Sequence, residues 1–494
     1  MKNILKGSII FTLILLMTGC SQEEYLNPVP KTSLSDLSVF DNKTRIEAQV
    51  NGMYASLKSG QHLGGRFLVY NDVRCDNFIP KSTNLVTLYA TWNHTVLAGT
   101  NEVQNLWGAV YSTVNVVNVF LEGLAQAWDE GKLTGVVTQS EYDQYRSEAY
   151  TIRAICYFNL MQMYSKPYHI GNGASQGVPL RIKAMKSAEE NDLAPSTVAE
   201  VYTQILKDLN DAEPLAVESF STDVLNTTRI HKNTIIALKT RVYMHMHNWP
   251  QVVTESAKMV PAAAPFTSPS GVANTLHADY EEIFRSPYVT KESIFSMPMT
   301  STNNAGTQSH MAHYFGSGSD ESYHLNQNPG YAFAALADDD ARKEMLYTHT
   351  DGKVFLTKWV DQATRAEWVP VIRYAEVLLN RAEALVRGDG GAVTGQAVNL
   401  LNAVRARSLT GGDYDAADFA AAQDFYDAVL LERNIEFLGE GIRNMDLMRL
   451  GLTLPAKGSP DMGNISAIPP TGPSYYWPVP ASELNYNNLM TPNN

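Results

Sequence analysis

Residues 373–384 read RYAEVLLNRAEA and lie within a predicted helix from Val371 to Val386. Two further helices are predicted downstream, from Gln396 to Arg407 and from Phe425 to about Leu438. A lone helical hairpin cannot bury its own apolar face, so helices joined by short turns are expected to stack as tetratricopeptide-like pairs. No clean repeat of about 34 residues accompanies them. The pattern therefore predicts a mainly α fold.

Helical periodicity also extends upstream. From Glu141 to Tyr164, apolar residues recur at steps of three and four, at Tyr145, Ala149, Ile152, Cys156, Leu160 and Met163. Thr197 and Glu200 have capping-box spacing before an amphipathic stretch that reaches Ala212. A helical hairpin is predicted from Asn233 to His247 and from Gln251 to Met259, with Pro250 in the first turn of its second helix.

The segment from Pro261 to Trp368 differs from the helical regions in composition and in hydrophobic periodicity. It is rich in Gly, Ser, Asn, His and aromatic residues and shows little helical period. We expect loops and short strands there, and long irregular segments on a rigid scaffold are common places for binding.

The N-terminus is typical of an exported lipoprotein. Lys2 and Lys6 precede an apolar run from Ile9 to Met17 that is too short to span a bilayer. The run closes on Leu16-Met17-Thr18-Gly19-Cys20, which resembles a bacterial lipobox, although an ordinary secretory signal with a chance cysteine is the alternative. We expect a signal peptide in residues 1–19, acylation of Cys20, a polar tether in residues 20–38 and a single domain in residues 39–494.

Charge and cysteine content exclude several classes of protein. The net charge of −13 argues against a nucleic-acid partner, because a basic footprint is missing. After Cys20 only Cys75 and Cys156 remain, and a free buried thiol is favoured over a bridge between them. The pair His310 and His313 lacks the helical setting and adjacent acid of a zinc protease, so we predict no metal and no cofactor.

Several motifs resemble the SusD/RagB family and occur in the family's order along nearly the whole mature chain. The N-terminal ones are Ala48-Gln49-Val50-Asn51-Gly52-Met53-Tyr54, Leu106-Trp107-Gly108-Ala109-Val110-Tyr111 and Glu148-Ala149-Tyr150-Thr151-Ile152-Arg153-Ala154. The C-terminal ones are residues 373–384, Leu401-Asn402-Ala403-Val404-Arg405-Ala406-Arg407, Glu432-Arg433-Asn434-Ile435-Glu436-Phe437 and Trp477-Pro478-Val479-Pro480. Asn434 and Gly439 depart from the family pattern and are expected to soften local ion pairing.

The resemblance implies an α-superhelical fold with tetratricopeptide-like helical pairs and long loop insertions that carry short strands. It also implies a glycan or nutrient site built largely from those insertions, and a SusC-like TonB-dependent transporter as the partner. The protein would then sit at the outer membrane, lipid-anchored and facing the cell exterior.

The candidate ligand site combines aromatic platforms with planar polar groups, which is what neutral sugars require. The residues Asp72, Arg74, Asp76 and Asn77 supply the polar groups, and Tyr89 and Trp92 the nearby rings. A second cluster with Tyr314 and Tyr323 lies in the irregular insertion and is expected to complete the platform from the opposite side.

Catalysis is disfavoured by the pattern of the acidic residues. Glu432, Glu436, Glu440 and Arg443 are spaced three or four apart, and acids interleaved with arginines indicate a structural ion-pair ladder rather than the paired carboxylates of a glycosidase. We predict a non-enzymatic glycan receptor. A peptide or other nutrient receptor of the same fold, a glycoside hydrolase and a protein-binding scaffold are the alternatives, and the sequence names neither the sugar nor any calcium.

Overall fold

The structure is a computed structural model that describes residues 38–316, 322–328 and 332–493. The predicted signal peptide, Cys20 and residues 20–37 of the predicted tether lie outside the described residues. Among the residues that the structure covers, no helix combines the length and the apolar character needed to cross a membrane.

Helices form most of the regular structure. In chain order they are α1 Lys43–Leu57, α2 Arg66–Val73, α3 Tyr89–Trp92, α4 Asn101–Asp129, α5 Gln139–Tyr164, α6 Val198–Ala212, α7 Asp223–Thr228, α8 Lys232–His245, α9 Trp249–Ser256, α10 Met311–Phe315, α11 Ala332–Ala335, α12 Tyr374–Gly388, α13 Gly395–Ser408, α14 Ala422–Glu436, α15 Arg443–Arg449 and α16 Ala481–Tyr486. Short 3-10 turns lie between them, at Ser38–Phe40, Leu85–Thr87, Ala188–Glu190, Glu213–Leu215, Glu281–Phe284, Ala341–Met345 and Ala416–Asp418.

The predicted helix starts are confirmed at the capping boxes. Thr197 accepts a hydrogen bond from the backbone N–H of Glu200, whose carboxylate accepts from the backbone N–H of Thr197 in return. Thr138 and Glu141 form the same reciprocal pair at the start of α5. Each box satisfies backbone N–H groups that would otherwise lack partners at a helix start.

Consecutive helices pack in pairs, as expected for tetratricopeptide-like units. Helix α5 packs on α6, α8 on α9, and α12 on α13, while α9 also contacts α12 and so joins one pair to the next. One continuous hydrophobic cluster runs from Phe40 to Met490 through these pairs. Cys75 and Cys156 are free and buried, as predicted.

The segment between Pro261 and Trp368 is irregular with short strands, which confirms the prediction from its composition. The strands of the molecule are β1 Phe78–Pro80, β2 Ser293–Met297, β3 Tyr323–Leu325, β4 Leu346–Thr348, β5 Val354–Leu356, β6 Val369–Arg373, β7 Lys457–Ser459 and β8 Gly463–Ile465. They form antiparallel two-stranded ladders: β1 with β3, β2 with β6, β4 with β5, and β7 with β8.

Several predicted helix boundaries were wrong: the second helix of the hairpin ends at Ser256 instead of Met259, and α14 begins at Ala422 instead of Phe425. Residues 371–373 belong to strand β6, and α12 begins only at Tyr374. Helix α14 ends at Glu436, whereas the sequence predicted an end at about Leu438. Gly439 and Gly441 follow with φ of 81° and 76°. Glu440 therefore does not continue the helical stripe of Glu432 and Glu436, because those positive φ angles turn the chain away from the helix.

Candidate functional site

The fold brings the two predicted ligand clusters together. Strand β1 follows Asn77 and pairs with β3, so that Pro80 lies opposite Tyr323. The backbone N–H of Asn326 donates to the carbonyl oxygen of Asn77 at 2.7 Å, and its side-chain amide donates to that of Asp76 at 2.8 Å. The two clusters are therefore neighbours in the fold, and their joint role as a ligand platform stays a prediction.

The polar members of these clusters are buried and hydrogen-bonded within the protein. Asp76 pairs with Arg443 at 2.9 Å, and Asp72 accepts the backbone N–H of Gly441 at 2.8 Å. Arg74 donates to the carbonyl oxygen of Tyr475 at 2.7 Å. Asn77 bonds to another buried side chain, Asn434. All of these contacts tie α2 and its following turn to the C-terminal part of the chain.

The aromatic members are also mostly buried. The indole N–H of Trp92 donates to the carbonyl oxygen of Phe78 at 2.8 Å, and the Trp92 ring is fully covered. Tyr314 donates to the carbonyl oxygen of Gln308, and Tyr323 to that of Thr87, each at 2.8 Å. Only Tyr89 keeps part of its ring exposed, and it stacks on Trp92 with ring centroids 5.7 Å apart.

These placements correct the expected role of seven of the eight predicted residues. A side chain enclosed by the core has no face to offer a sugar ring, so direct contact by Asp72, Arg74, Asp76, Asn77, Trp92, Tyr314 and Tyr323 does not fit their burial. We propose that they support the site from behind, and that Tyr89 remains a candidate for direct contact.

An open cavity of about 690 Å³ lies directly in front of this buried layer. It exceeds cavities of about 440, 360 and 270 Å³ elsewhere on the described surface. Its walls combine polar and apolar side chains: Gln61, Arg66, Leu85, Val86, Leu88, Ala90, Thr95, Gly99, Thr100, Asn101, Glu102 and Asn105. This size and mixture suit a small organic ligand or a short part of a longer one.

Glycines allow the insertion to approach the stretch that carries Gln61 and Arg66 closely. A Cβ at Gly60 would lie 2.3 Å from the carbonyl oxygen of Ala305, and one at Gly65 would lie 1.9 Å from that of Ser309. No larger residue fits at either position without moving backbone. The close approach places the carbonyl oxygen of Gln308 where it accepts two hydrogen bonds of 3.1 Å from Arg66.

Glu102 supplies a polar group with unused bonding capacity. It lies in the first turn of α4, where a carboxylate is favoured by the helix dipole. Burial raises the pKa of Glu102 above its usual value, and nearby Arg66 opposes that shift. Its Oε1 atom is buried and has no hydrogen-bond partner among the described residues. A ligand hydroxyl entering the cavity would find an acceptor there.

The rim of the cavity is apolar. Leu85 and Val86 are 65% and 50% exposed in a short 3-10 turn whose start is capped by Asn84, which accepts the backbone N–H of Val86 at 2.9 Å. Leu88, two residues after Val86, has φ of 70°. Such a conformation is costly for a residue with a side chain, so the surrounding contacts must hold this turn in place. Tyr323 does so through its bond to Thr87.

The cavity has the composition of a binding site and lacks the pair of acids that sugar hydrolysis needs. Glu102 is the sole acid among the described residues that line it. A glycosidase uses two carboxyl groups on either side of the scissile bond. The arrangement can accept and donate hydrogen bonds and cover apolar faces of a ligand.

The C-terminal acids form a buried ion-pair cluster, which confirms their structural interpretation. Arg373 contacts Glu436 at 2.9 Å and Glu440 at 2.8 Å, and Lys358 contacts Glu440 at 2.8 Å. Burial alone would favour neutral Glu436, yet the guanidinium groups of Arg407, Arg373 and Arg342 lower its pKa. Asn434 bonds to Asn77 and Glu440 pairs with both Lys358 and Arg373, and the softening of ion pairing at Asn434 and Gly439 stays a prediction.

No metal centre emerges from the part of the chain that the structure describes. It contains no group of three or more His, Cys, Asp or Glu side chains arranged to hold an ion. His310 and His313 are neighbours, with ring centroids 5.9 Å apart, and burial lowers the pKa of His310 to about 4.

Sequence reasoning missed every residue that lines this cavity. Gln61 and Arg66 lie in the glycine-rich stretch Gly60-Gln61-His62-Leu63-Gly64-Gly65-Arg66, and Asn101, Glu102 and Asn105 open a long helix. The closely spaced glycines were a signal for a close backbone approach. The apolar rim at Leu85 and Val86 carried no such signal, because two adjacent apolar residues are ordinary in any sequence.

A helical frame with irregular insertions around an open cavity defines the structural class of this protein. Comparison with known sequences agrees with this class. The model of a family described as "Starch-binding associating with outer membrane" matches residues 24–244, and that of the SusD family matches residues 337–494. This chain belongs to the SusD superfamily.

Individual relatives cover nearly the whole chain. A solved SusD superfamily protein from Bacteroides fragilis is 31% identical, with a TM-score of 0.80, and the match covers 92% of this chain and 100% of that one. SusD-like protein P38 from Formosa agariphila is 24% identical, with 97% of both chains covered. Surface glycan-binding protein A from Bacteroides thetaiotaomicron, solved with laminarihexaose, is 18% identical with a TM-score of 0.70, and the match covers 92% of this chain and 99% of that one.

Proposed function

We propose that this protein is a lipid-anchored glycan receptor on the outer face of the outer membrane, which delivers oligo- or polysaccharide to a SusC-like TonB-dependent transporter. Binding is its whole chemistry, and the partner barrel performs the transport. The observation that carries the proposal is the open cavity in which an unpaired oxygen of Glu102 and the guanidinium of Arg66 lie below an apolar rim.

The chemistry of the cavity suits a neutral sugar. Sugar rings present C–H faces that pack on apolar surfaces, and hydroxyl groups that both donate and accept hydrogen bonds. Leu85 and Val86 offer the surfaces, while Glu102 and Asn105 offer bonding groups. A net charge of −13 makes a polyanionic ligand unfavourable.

The relatives support the same class of ligand. One matching family is described as starch-binding, and surface glycan-binding protein A, a structural neighbour, was solved with a laminarihexaose ligand. The lipobox-like sequence before Cys20 supports anchoring, because acyl chains on that residue would hold a protein at the membrane surface.

Affinity electrophoresis through gels that contain laminarin, starch, xylan or mannan tests the binding. Retardation by at least one of these neutral polysaccharides is expected, and no reducing ends should be released when the protein is incubated with it. Retardation by none of them, together with binding of peptides from a protein digest, would replace the glycan proposal with a peptide receptor. Release of reducing sugar would make the protein an enzyme.

Variants of the cavity locate the site. Glu102→Gln should weaken binding about tenfold, since a hydrogen bond to a charged group contributes about 1.5–3 kcal/mol and 1.4 kcal/mol corresponds to a factor of ten. Asn105→Ala should weaken it less. The matched control is Asn210→Ala, which removes another exposed helical asparagine outside the cavity. Equal affinity of all three variants and the native protein would place the site elsewhere.

Anchoring and partnership require experiments on cells. Mass spectrometry of the mature protein should find an acylated Cys20 at its N-terminus, and Cys20→Ala should release the protein from membranes. Protease added to intact cells should digest the native protein. A TonB-dependent transporter should copurify with it from detergent-solubilised outer membranes, and its absence would remove the delivery role while leaving the binding role intact.

A further inference from the structure

A second groove lies further along helix α4. A cavity of about 270 Å³ is formed by α4, the segment around residue 181 and the C-terminal helix α16, and its lining includes Trp107, Gly108, Tyr111, Arg181 and Tyr486. It adjoins a cavity of about 440 Å³, because Arg181 lines both. We call these two adjoining cavities together the α4–α16 groove.

An unusually exposed aromatic ring stands at the edge of this groove. Tyr486 is 76% exposed, the highest value among the exposed large apolar and aromatic side chains of the described residues. Its backbone is held in place, since the carbonyl oxygen accepts a hydrogen bond from the side-chain amide of Asn191. A fixed backbone presents the ring at a defined place without burying it, which is the condition for a stacking platform.

Gly108 has no packing reason to be glycine. It lies within α4 with its position exposed, and a Cβ placed there would meet no atom within 4 Å. Glycine in a helix interior costs about 0.5–1 kcal/mol relative to alanine. Because Gly108 lines the groove directly beside Trp107, the missing side chain keeps the groove floor open.

The side chains at the base of the groove are linked by hydrogen bonds and by an ion pair. The indole N–H of Trp107 donates to Glu483 at 3.2 Å, and Arg181 donates to the same carboxylate at 3.3 Å. Arg181 also donates to the carbonyl oxygen of Asn191 at 2.7 Å. Arg181 and Glu483 neutralise each other, and the other charged side chains that line the groove are three acids, Glu122, Glu190 and Asp192, and two lysines, Lys183 and Lys186. Because acids and bases are nearly equal in number, the groove favours an uncharged ligand with many hydroxyl groups over an anion.

We propose that the α4–α16 groove is a second binding site for a neutral oligosaccharide segment, with Tyr486 as its stacking platform and Gly108 as its open floor. The proposal rests on the glycan-binding function above. Both sites share α4, whose first turns contribute Glu102 and Asn105 to the first cavity. The backbone N–H of Ala481, at the start of α16, donates a hydrogen bond of 2.9 Å to the carbonyl oxygen of Ala98, in the loop before α4.

Two sites on one rigid helix would favour long chains over short ones. A polysaccharide bound at the first cavity holds its remaining sugars at high effective concentration near the groove, so the second contact adds affinity without requiring a separate encounter. An oligosaccharide that fills only the first cavity gains nothing from the groove. Chain length is therefore the variable that separates the two sites.

A variant that fills the open space at Gly108 gives the most specific test. Gly108→Leu should leave the protein as stable as native or more stable, because leucine favours the helix and meets open space. Its affinity for the polysaccharide that the native protein binds should fall at least severalfold, while that for the shortest bound oligosaccharide should not change. Gly52→Leu is the matched control, since Gly52 is also an exposed helical glycine with no atom within 4 Å of a Cβ.

Removing the platform gives the second test. Tyr486→Ala should also weaken binding of the polysaccharide selectively. The control is Tyr347→Ala, which removes a tyrosine that is 43% exposed on strand β4 and should not weaken binding. Isothermal titration with a series of oligosaccharides of increasing length measures both effects. Stability is followed by thermal unfolding, so that loss of binding with an intact fold is recognised directly.

The outcomes distinguish this proposal from the proposed function. If Glu102→Gln loses binding while Gly108→Leu and Tyr486→Ala bind the polysaccharide like the native protein, the groove is not a sugar site and the first cavity stands. If the native protein binds none of the polysaccharides, both proposals fail. If Gly108→Leu abolishes binding of a peptide but not of a sugar, the groove takes peptides and the proposal is overturned.

Discussion

The side-chain amide of Asn77 donates a hydrogen bond of 2.7 Å to Oδ1 of Asn434, across 357 residues of sequence. Both residues are buried, one just before strand β1 and the other near the end of α14. The bond joins the layer behind the first cavity to the C-terminal ion-pair cluster. Asn434 serves here as an acceptor, which a basic side chain at this position could not be.

We expect Asn77→Ala and Asn434→Ala each to lower the free energy of unfolding by about 1–3 kcal/mol, because each leaves a buried amide without its partner. The double variant should cost less than the sum of the two single variants. Urea denaturation of the native protein and the three variants measures the coupling. Additive losses would mean that the two side chains do not stabilise each other.

Glu436→Gln should be strongly destabilising, by about 3–5 kcal/mol, because it leaves Arg373 and Arg407 facing each other with less negative charge in a buried place. Glu218→Gln is the control. Its carboxylate pairs with Lys232 at the surface, where such a pair contributes about 0–1 kcal/mol. Similar losses in the two variants would contradict the role of burial.

Gly439→Ala should cost more than Gly463→Ala. Both glycines have positive φ, 81° and 72°, so both substitutions carry the backbone penalty of about 1 kcal/mol. At Gly439 a Cβ would also lie 2.5 Å from Cδ2 of Leu356, whereas nothing lies within 4 Å at Gly463. Overpacking adds about 1–3 kcal/mol at the first site only. Thermal unfolding midpoints of the two variants provide the comparison.

The buried amine of Lys457 should make the stability of the protein depend on pH. Its Nζ donates to the carbonyl oxygen of Val73 at 2.7 Å, and burial lowers the pKa of this amine from 10.5 to about 7. Between these two values the unfolded chain binds a proton that the folded protein does not bind. The free energy of unfolding should therefore rise with pH from about 7 to about 10, by at most about 1.4 kcal/mol per unit.

Lys457→Met should reduce this rise, whatever its effect on stability at a single pH, while Lys358, whose pKa burial lowers to about 8, retains part of it. Urea denaturation at a series of pH values gives the slope for each protein. The control is Lys132→Met, because Lys132 is exposed and should leave the slope as it is in the native protein. The idea fails if Lys457→Met and the native protein have parallel pH profiles.

Much of the helical frame was predictable because its signals are local. Thr197 and Glu200 mark a helix start through contacts within one turn, and the apolar spacing from Tyr145 to Met163 marks one face of α5. The boundary at Val371 was not predictable in this way. Residues 369–373 become a strand because β2, from a distant part of the chain, pairs with them.

The candidate site was predicted only in part, for a related reason. The segment from Asp72 to Asn77 has the right chemistry for a sugar, but its side chains turn inward to partners such as Arg443 and Gly441. Composition alone does not distinguish a polar group that meets a ligand from one that meets the protein's own chain. The residues that do line the cavity are brought together from three stretches of the chain, residues 61–66, 85–90 and 95–105.

By itself the sequence determined that this protein is mainly helical, that its thiols stay free and that its acids pair with arginines, because helix periodicity, cysteine count and charge spacing act over short distances. Only the tertiary structure decided which polar and aromatic side chains remain open to a ligand. Exposure depends on what the rest of the chain packs over each residue, and at Trp92 and Tyr486 that packing gave opposite results.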